Sequence, residues 1–114
     1  MSAQEPANPV RLEVADGVAT VTLSRPDAMN AVTTALAVAL EQAVLVAAGD
    51  PEVRVILLRG EGGNFCAGGD FDEVQRLRAE GPGSLRSLFE AFRGACEAVE
   101  SAPVPVVAAV EGVA

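Results

Sequence analysis

Residues 53–73 read VRVILLRGEGGNFCAGGDFDE, and this stretch decides the fold class. Its first seven residues are apolar and largely β-branched apart from two arginines, which is typical of a strand buried inside a sheet. Five glycines follow within residues 60–69, and Asp70 and Glu73 then match the D-x-x-E pattern of a helix start. We therefore predict a central strand buried on both faces, a glycine-rich loop and a short helix that begins at Asp70.

The residues before this stretch predict a β-hairpin. Residues 10–14 and 18–23 each alternate apolar and polar side chains. Asp16 and Gly17 between them are a strong signal for a tight turn, because this pair tolerates the positive φ angles that such a turn needs. One face of the hairpin is expected to be buried.

Three helices and a last strand are predicted from apolar spacing. The first helix is capped by Thr33 or Thr34 and stopped by residues 49–51, the second follows the glycine-rich loop, and Ser84 caps the third. Residues 106–110 read as another buried strand, so the order β-β-α-β-α-α-β favours an α/β or α+β layered domain. The predicted buried residues are Leu36, Leu40, Val44 and Ala47 in the first helix, Phe71, Val74 and Leu77 in the second, and Leu85, Leu88, Phe89, Phe92, Cys96 and Val99 in the third.

The composition excludes several classes of function. A net charge of -8 without a basic cluster argues against a nucleic-acid partner. The most apolar stretch, residues 35–48, is interrupted by Glu41 and Gln42 and is shorter than the roughly 20 residues of a membrane span, so no membrane partner is expected. The absence of Lys, His, Tyr and Trp excludes a Ser/His/Asp triad or a Cys/His pair within the chain.

The cysteines and the N-terminus indicate the compartment. Cys66 and Cys96 are too few for a disulfide framework and lack the spacing and histidines of a zinc site, so no metal is expected. Buried or loop thiols in a reducing cytoplasm are the simpler interpretation. Residues 1–9 are polar and lack the pattern of a secretory signal, which predicts a flexible N-terminus, a domain over residues 10–114 and a cytoplasmic protein.

The glycine-rich loop is the leading candidate site. It joins a buried strand to a capped helix, and ligands tend to bind at strand ends in α/β sheets. Its glycines allow close backbone approach, and the first N–H groups after Asp70 have no helical partner and favour negative charge. The alternative is that the glycines only form turns and Asp70 only caps the helix.

Three segments of the chain share motifs with one known family. Residues 64–70, NFCAGGD, resemble F-x-A-G-[AG]-D; residues 23–31, LSRPDAMNA, resemble L-x-R-P-x-x-x-N-A; and residues 103–114, PVPVVAAVEGVA, resemble P-K-P-V-I-A-A-V-x-G-x-A. These motifs, in this order, are those of the crotonase (enoyl-CoA hydratase/isomerase) superfamily. The resemblance covers the chain from the hairpin onward and implies the crotonase-like spiral of β-β-α units, here truncated.

The resemblance implies an enzyme that binds an acyl-CoA or enoyl-CoA substrate. Two backbone N–H donors stabilise the thioester oxyanion in this family, and by position the first donor is Gly69. No tightly bound cofactor is implied beyond coenzyme A as part of the substrate, and family members assemble as homotrimers or hexamers. The residues whose backbone groups are implied to line coenzyme A are Ala28, Met29, Ala67, Gly68 and Asp70.

The chain also departs from the family pattern. Val104 stands where the family has Lys, Glu111 where it has Asn, and Gly69 where Ala is common. The second oxyanion donor of the family lies in a Gly-rich turn that would follow Ala114, and the acid/base carboxylates come later, so Glu111 has no implied catalytic role. We therefore expect these 114 residues alone to be inactive. The alternative is a non-catalytic remnant that retains part of the CoA surface.

Other interpretations compete at single positions. Cys66 resembles a nucleophile, but no His, Lys or second Cys lies near it in sequence to activate the thiol, which favours a small buried loop residue. Arg25 is either a partner of CoA phosphates or a solvated side chain. A Rossmann-type site is disfavoured because Phe65 stands where G-x-G-x-x-G needs its third glycine. Helix-start charge and a solvated helix face explain the acidic pairs Asp70/Asp72 and Glu97/Glu100.

Overall fold

The fold is a four-stranded sheet with helices between the strands. A computed structural model of the protein describes residues 8–114. The predicted order β-β-α-β-α-α-β is confirmed, and residues 1–7 of the predicted flexible N-terminus lie outside the described residues. Within the described range the elements are β1 (Val10–Ala15), β2 (Val18–Leu23), α1 (Thr34–Ala48), β3 (Val55–Gly60), α2 (Phe71–Ala79), α3 (Arg86–Glu100) and β4 (Val106–Ala109).

The strands pair in chain order, β1-β2-β3-β4. β1 and β2 form the predicted antiparallel hairpin, in which Asp16 and Gly17 adopt positive φ angles of 54° and 81°. β3 is parallel to β2 and β4 is parallel to β3, so β3 is the inner strand that the sequence predicts. Parallel pairing places Leu23 beside Gly60, and the segments that follow β2 and β3 therefore leave the sheet at the same edge.

The core lies on one face of the sheet. Ile56 of β3 and Leu36 of α1 are completely buried there. On the opposite face Leu57 is half-buried, and its β4 neighbour Val107 is 50% exposed. The prediction that β3 is buried on both faces is therefore wrong for the described residues, because the helices of the core, α1 and α3, cover only one face. The strand predicted over residues 106–110 forms over Val106–Ala109 but is largely exposed, because β4 lies at the edge of the sheet and Val106 is its residue that packs against the core.

α3 turns a different face to the core from the one predicted. Ala95 and Ala98 are buried, whereas Phe92 is 46% exposed. The two long helices approach closely at Gly94, where an added Cβ would lie 2.9 Å from Oε1 of Glu41. The small side chains of α3 therefore permit a close contact with α1, which large side chains at the same positions would block. Of the predicted stripe, Leu88 is buried, Leu85 and Val99 are half-buried, and Phe89, Phe92 and Cys96 are exposed.

The starts of α1 and α2 follow the predicted capping. The Thr33 hydroxyl accepts a hydrogen bond from the Leu36 N–H at 3.0 Å. Oδ1 of Asp70 accepts one from the Glu73 N–H at 2.9 Å, so Asp70 is the N-cap and the helix itself begins at Phe71. Of the predicted α1 stripe, Leu36, Val44 and Ala47 are buried and Leu40 is half-buried.

Two predictions on α2 and α3 are wrong. Ser84 does not cap α3, because its hydroxyl lies between the carbonyls of Leu77 and Gly81 and shares its one proton with them, which closes the end of α2 instead. The N-cap position of α3 is Leu85, which has no side-chain capping bond. Phe71 is 71% exposed, so the buried side of α2 is formed by Leu77 with a half-buried Val74.

Candidate functional site

Two segments lie against each other at the edge where β2 and β3 end. Residues 24–33 follow β2, and residues 61–70, the glycine-rich loop, follow β3. The Ala67 N–H donates to the Met29 carbonyl at 3.0 Å. The structure thus brings into one place the residues that the resemblance assigns to coenzyme A, namely Ala28, Met29, Ala67, Gly68 and Asp70.

The Gly69 N–H points away from the first of these segments. The Val32 N–H donates to the Gly68 carbonyl at 2.7 Å, and the Val32 carbonyl accepts from the Asp70 N–H at 2.8 Å. These bonds form an isolated parallel bridge between Val32 and Gly69. The Gly68–Gly69 peptide is trans and planar, so its N–H lies opposite its carbonyl. Because the carbonyl faces Val32, the N–H faces outward.

The same N–H is available to a ligand. Residues 67–69 are exposed, and the Gly69 N–H precedes the helix that begins at Phe71, so it lies outside the helical hydrogen-bond ladder. Over the described residues it donates to no protein acceptor. An apolar cavity of about 620 Å³ lies beside the loop and is lined in part by Phe65 and Cys66, but Gly69 does not line it. The role of the Gly69 amide as an oxyanion donor stays a prediction.

Asn30 is the buried centre of the site. Its side chain is fully buried, and its Oδ1 accepts from the Arg25 N–H at 2.8 Å. Its Nδ2 donates to the carbonyls of Glu61 and Asn64 at 3.0 and 2.8 Å. Asn30 and the preceding Met29 both adopt left-handed backbone conformations, with φ of 57° and 51°, which non-glycine residues adopt at an energetic cost. The hydrogen bonds of Asn30 offset that cost and hold the loop against the preceding segment.

Gly60 lies against the backbone carbonyls of the loop and the side chain of Asn30. Replacing Gly60 with alanine is expected to lower the free energy of unfolding by about 2 kcal/mol. An added Cβ would lie 2.1 Å from the Asn64 carbonyl oxygen and 2.8 Å from Nδ2 of Asn30, so the loop would have to shift. Urea unfolding measures the change. Gly49→Ala is the matched control, since its Cβ would meet its nearest neighbour at an ordinary 3.5 Å. Equal unfolding midpoints for the two variants would contradict this prediction.

The Arg25 side chain is half-buried and binds groups within the protein. Its Nη1 donates to the Ala31 carbonyl at 2.6 Å and to Oδ2 of Asp70 at 3.1 Å. Asp70 therefore uses one carboxylate oxygen for Arg25 and the other for the Glu73 N–H. The structure thus shows an internal ion pair in place of a fully solvated side chain, and a contact of Arg25 with CoA phosphates stays an untested alternative.

The predicted capping box of α2 forms only by half. Asp70 caps the helix, but the Glu73 carboxylate does not return to the Asp70 N–H, which is already bound to Val32. Instead Oε1 of Glu73 accepts from the Thr34 N–H at 2.7 Å, at the first turn of α1. The Glu73 carboxylate thus connects the start of α2 with the start of α1. It accepts a hydrogen bond from a backbone N–H that has no partner within α1, at the positive end of the helix dipole.

The start of the loop is tied to the hairpin by charge. The Arg11 guanidinium donates to the Glu61 carboxylate, and the Ser24 hydroxyl donates to it at 2.7 Å. The hydrogen bond from Arg11, followed by that from Ser24, holds the pKa of the Glu61 carboxyl below its ordinary value. The same pair raises the pKa of Arg11. Both groups are charged near neutral pH, so the attraction between them is present there.

The residues after β4 also contact the loop. The Phe65 N–H donates to the Glu111 carbonyl at 2.9 Å, and the Val113 N–H donates to Oδ1 of Asn64 at 2.9 Å. Gly112 lies so close that an added Cβ would be 2.4 Å from Oδ1 of Asn64, so only glycine fits there. Glu111 takes part through its backbone carbonyl.

The two thiols have different surroundings. Cys66 is a half-buried loop residue, as the sequence predicts, whereas Cys96 is exposed on α3 and is neither buried nor in a loop. Both line the apolar cavity beside the loop. Over residues 8–114, no three His, Cys, Asp or Glu side chains come together as a metal site requires. None of the helices in this range has the length and apolar character to cross a membrane.

Comparison with known sequences identifies the family. A sequence profile of the enoyl-CoA hydratase/isomerase family matches residues 13–114. The chain belongs to this family. A relative from Rhodobacter capsulatus named "Probable enoyl-CoA hydratase" is 39% identical over 105 residues, covering 92% of this chain and 39% of its own length. A Mycobacterium tuberculosis relative, "Probable enoyl-CoA hydratase EchA14", is 38% identical, covering 94% of this chain and 41% of its own. The chain thus spans about two fifths of the length of these relatives.

Solved structures of the family share the fold. Pseudomonas aeruginosa AtuE superposes with a TM-score of 0.85 at 38% identity, covering 93% of this chain and 41% of its own. An enoyl-CoA hydratase/carnithine racemase from Magnetospirillum magneticum superposes with a TM-score of 0.86 at 33% identity, covering 94% and 40%. The predicted crotonase-like fold, present here in part, is confirmed.

Sequence reasoning assigned no function to two residues that build the site, Asn30 and Val32. Asn30 is the conspicuous N of the R-P-x-x-x-N-A segment, so its place in the motif was a usable signal for a structural role. Val32 acts through its backbone N–H and carbonyl, which any residue except proline provides. No side-chain pattern signals such a contact.

Proposed function

We propose that this protein binds an acyl-CoA or enoyl-CoA thioester and polarises its carbonyl through the Gly69 N–H, as part of enoyl-CoA hydration or double-bond isomerisation. The observation that carries the proposal is the unpaired, exposed Gly69 N–H, aimed outward by the Val32 bridge. It lies just before the N-terminus of α2, where the helix dipole favours negative charge. A donor fixed in advance stabilises an oxyanion without reorganisation, which is worth about 3 kcal/mol in the transition state.

The backbone groups still open to coenzyme A are a subset of those predicted. The Ala67 N–H, the Gly68 carbonyl and the Asp70 N–H bind Met29 and Val32 within the site. We therefore assign the proposed contacts with coenzyme A to the Ala67 carbonyl and the Gly68 N–H, which belong to exposed residues. The 45% exposed side chain of Met29 and the backbone of Ala28 complete the proposed surface.

We propose further that residues 1–114 bind the thioester without turning it over. Proton transfer in hydration or isomerisation needs a positioned acid or base. Asp70, the carboxylate next to Gly69, already has partners within the protein for both of its oxygens, Arg25 and the Glu73 N–H. A purely CoA-binding protein is the alternative, and turnover by a longer chain that contains residues 1–114 would separate the two. Assembly of such a chain as a homotrimer or hexamer in the cytoplasm belongs to the same proposal.

Vibrational spectroscopy tests the proposal on the 114-residue chain. A thioester labelled with ¹³C at its carbonyl is expected to show a lower carbonyl stretching frequency when bound, because a hydrogen bond from the Gly69 N–H weakens the C=O bond. Calorimetry with the same thioester measures binding, and the absorbance of a conjugated enoyl thioester measures turnover. An unshifted carbonyl band at saturation would refute the Gly69 role. Protein-dependent loss of absorbance that survives repurification would refute the inactivity of the chain.

A further inference from the structure

Arg25 lies between the two segments of the site. Its Nη1 donates to the Ala31 carbonyl at 2.6 Å and to Oδ2 of Asp70 at 3.1 Å. The Arg25 side chain is 25% exposed and that of Asp70 is 13% exposed, so water competes little with this pair. Arg25 thereby joins the residue before Val32 to the residue after Gly69.

These two residues flank the bridge that orients the Gly69 N–H. The Gly69 N–H and the Gly68 carbonyl belong to one planar peptide, so the direction of the carbonyl fixes the direction of the N–H. The hydrogen bond from the Val32 N–H in turn fixes the direction of the carbonyl. A sliding or rotation of one segment against the other would turn the N–H. The contacts of Arg25 oppose that movement, because they hold both sides of the bridge from a single nitrogen atom.

The other polar side chains of the site act elsewhere. Asn30 reaches the carbonyls of Glu61 and Asn64 at the beginning of the loop. Glu73 reaches Thr34 at the start of α1. Among the side-chain hydrogen bonds of the described residues, those of Arg25 are the ones that connect the two neighbours of the Val32 bridge.

We propose that Arg25 is a positioning residue that aims the Gly69 N–H at the thioester oxygen. It acts through the Ala31 carbonyl and the Asp70 carboxylate, and it does not contact the substrate. The inference rests on the proposed function of Gly69. Because the effect is on the direction of an oxyanion donor, its loss falls on the chemical step and spares substrate binding.

The test compares variants of a chain that contains residues 1–114 and turns over an enoyl-CoA, and the carbonyl band is also measured on the 114-residue chain. Arg25→Met is expected to lower kcat about tenfold or more, since a displacement near 1 Å costs up to about 100-fold, while KM changes less than about twofold. The carbonyl band of the bound ¹³C-labelled thioester should move back toward its frequency in water. Arg25→Lys should recover most of the wild-type kcat and of the shift of the carbonyl band. In the wild type a single nitrogen of Arg25 donates to both Ala31 and Asp70, and the Lys ammonium also has enough donors to make both hydrogen bonds.

Two further variants keep the test decisive. Arg86→Met is the control for the chemical change, since over the described residues the Arg86 side chain makes its hydrogen bond with Glu90 on the exposed side of α3, and it should match the wild type. Arg25→Met combined with Asp70→Asn leaves no unpaired charge and keeps an oxygen to cap α2, so it should fold and show the same loss in kcat.

The outcomes separate this inference from the function on which it rests. A folded Arg25→Met protein with wild-type kcat and a wild-type carbonyl band would overturn the inference alone. A purely structural role would lower the melting temperature without changing kcat per folded molecule or the band, and this result would also overturn it. An unshifted band in the wild-type protein would overturn the proposed function of Gly69 as well.

Discussion

Replacing Gly69 with proline in a chain that contains residues 1–114 and turns over an enoyl-CoA is expected to lower turnover by about 100-fold or more, as the loss of one oxyanion donor does in other enzymes. Proline has no N–H, so the substitution removes the one group to which the proposed function assigns catalysis. The Gly69 N–H donates to no acceptor in the described residues, so the change breaks no recorded hydrogen bond. The loss should therefore appear in kcat, and a separate check on folding is needed because proline also fixes φ at position 69 and restricts the preceding Gly68, whose φ is 98°.

Gly69→Ala is the matched variant for this experiment. It keeps the N–H, its Cβ would meet Val74 at an ordinary 3.8 Å, and Gly69 has no positive φ that alanine would strain. We expect it to retain turnover within about threefold of wild type, because the oxyanion donor is preserved. Steady-state kinetics with circular dichroism as a check on folding measures both variants. Equal turnover in Gly69→Ala and a folded Gly69→Pro would exclude the N–H as a donor.

Replacing Asn30 with alanine is expected to destabilise the protein by about 3 kcal/mol or more, because it leaves three backbone groups without their partner. These groups are the Arg25 N–H and the carbonyls of Glu61 and Asn64, and the Asn30 side chain that binds them is fully buried. The variant also loses the bonds that hold Asn30 in its left-handed conformation, with φ of 57°.

Urea unfolding of the 114-residue chain measures this effect, with Asn8→Ala as the control. The Asn8 side chain also accepts a backbone hydrogen bond, from the Val10 N–H at 3.1 Å, but Asn8 is exposed. Water can replace that bond, and we expect a change within about 1 kcal/mol. A loss for Asn30→Ala no larger than that for Asn8→Ala would show that the buried amide does not hold the loop.

Elements that depend on near neighbours in the chain were predictable. The hairpin follows from alternation around Asp16 and Gly17, and the caps of α1 and α2 follow from Thr33 and Asp70, because each involves residues a few positions apart. The position of Gly69 at the end of the loop and before α2 followed in the same way.

Predictions that depend on contacts between distant elements were wrong more often. The face of α3 was predicted from its large apolar side chains, yet the close approach to α1 at Gly94 selects Ala95 and Ala98. Glu73 fits a local capping box by spacing, but the Asp70 N–H it would bind is taken by Val32, and the carboxylate binds Thr34. The spacing of residues within one helix contains no information about which other element of the fold packs against that helix.

The sequence by itself determined the family, the order of elements and the loop in which Gly69 lies, because motifs and turn residues act over short stretches of chain. Only the tertiary structure decided where the Gly69 N–H points. Its direction depends on a backbone bond from Val32, on parallel pairing that brings the ends of β2 and β3 together, and on Arg25 and Asn30 holding the two segments in register. Backbone N–H and carbonyl groups are the same in almost every residue, so their partners are selected by geometry and leave no mark in the sequence.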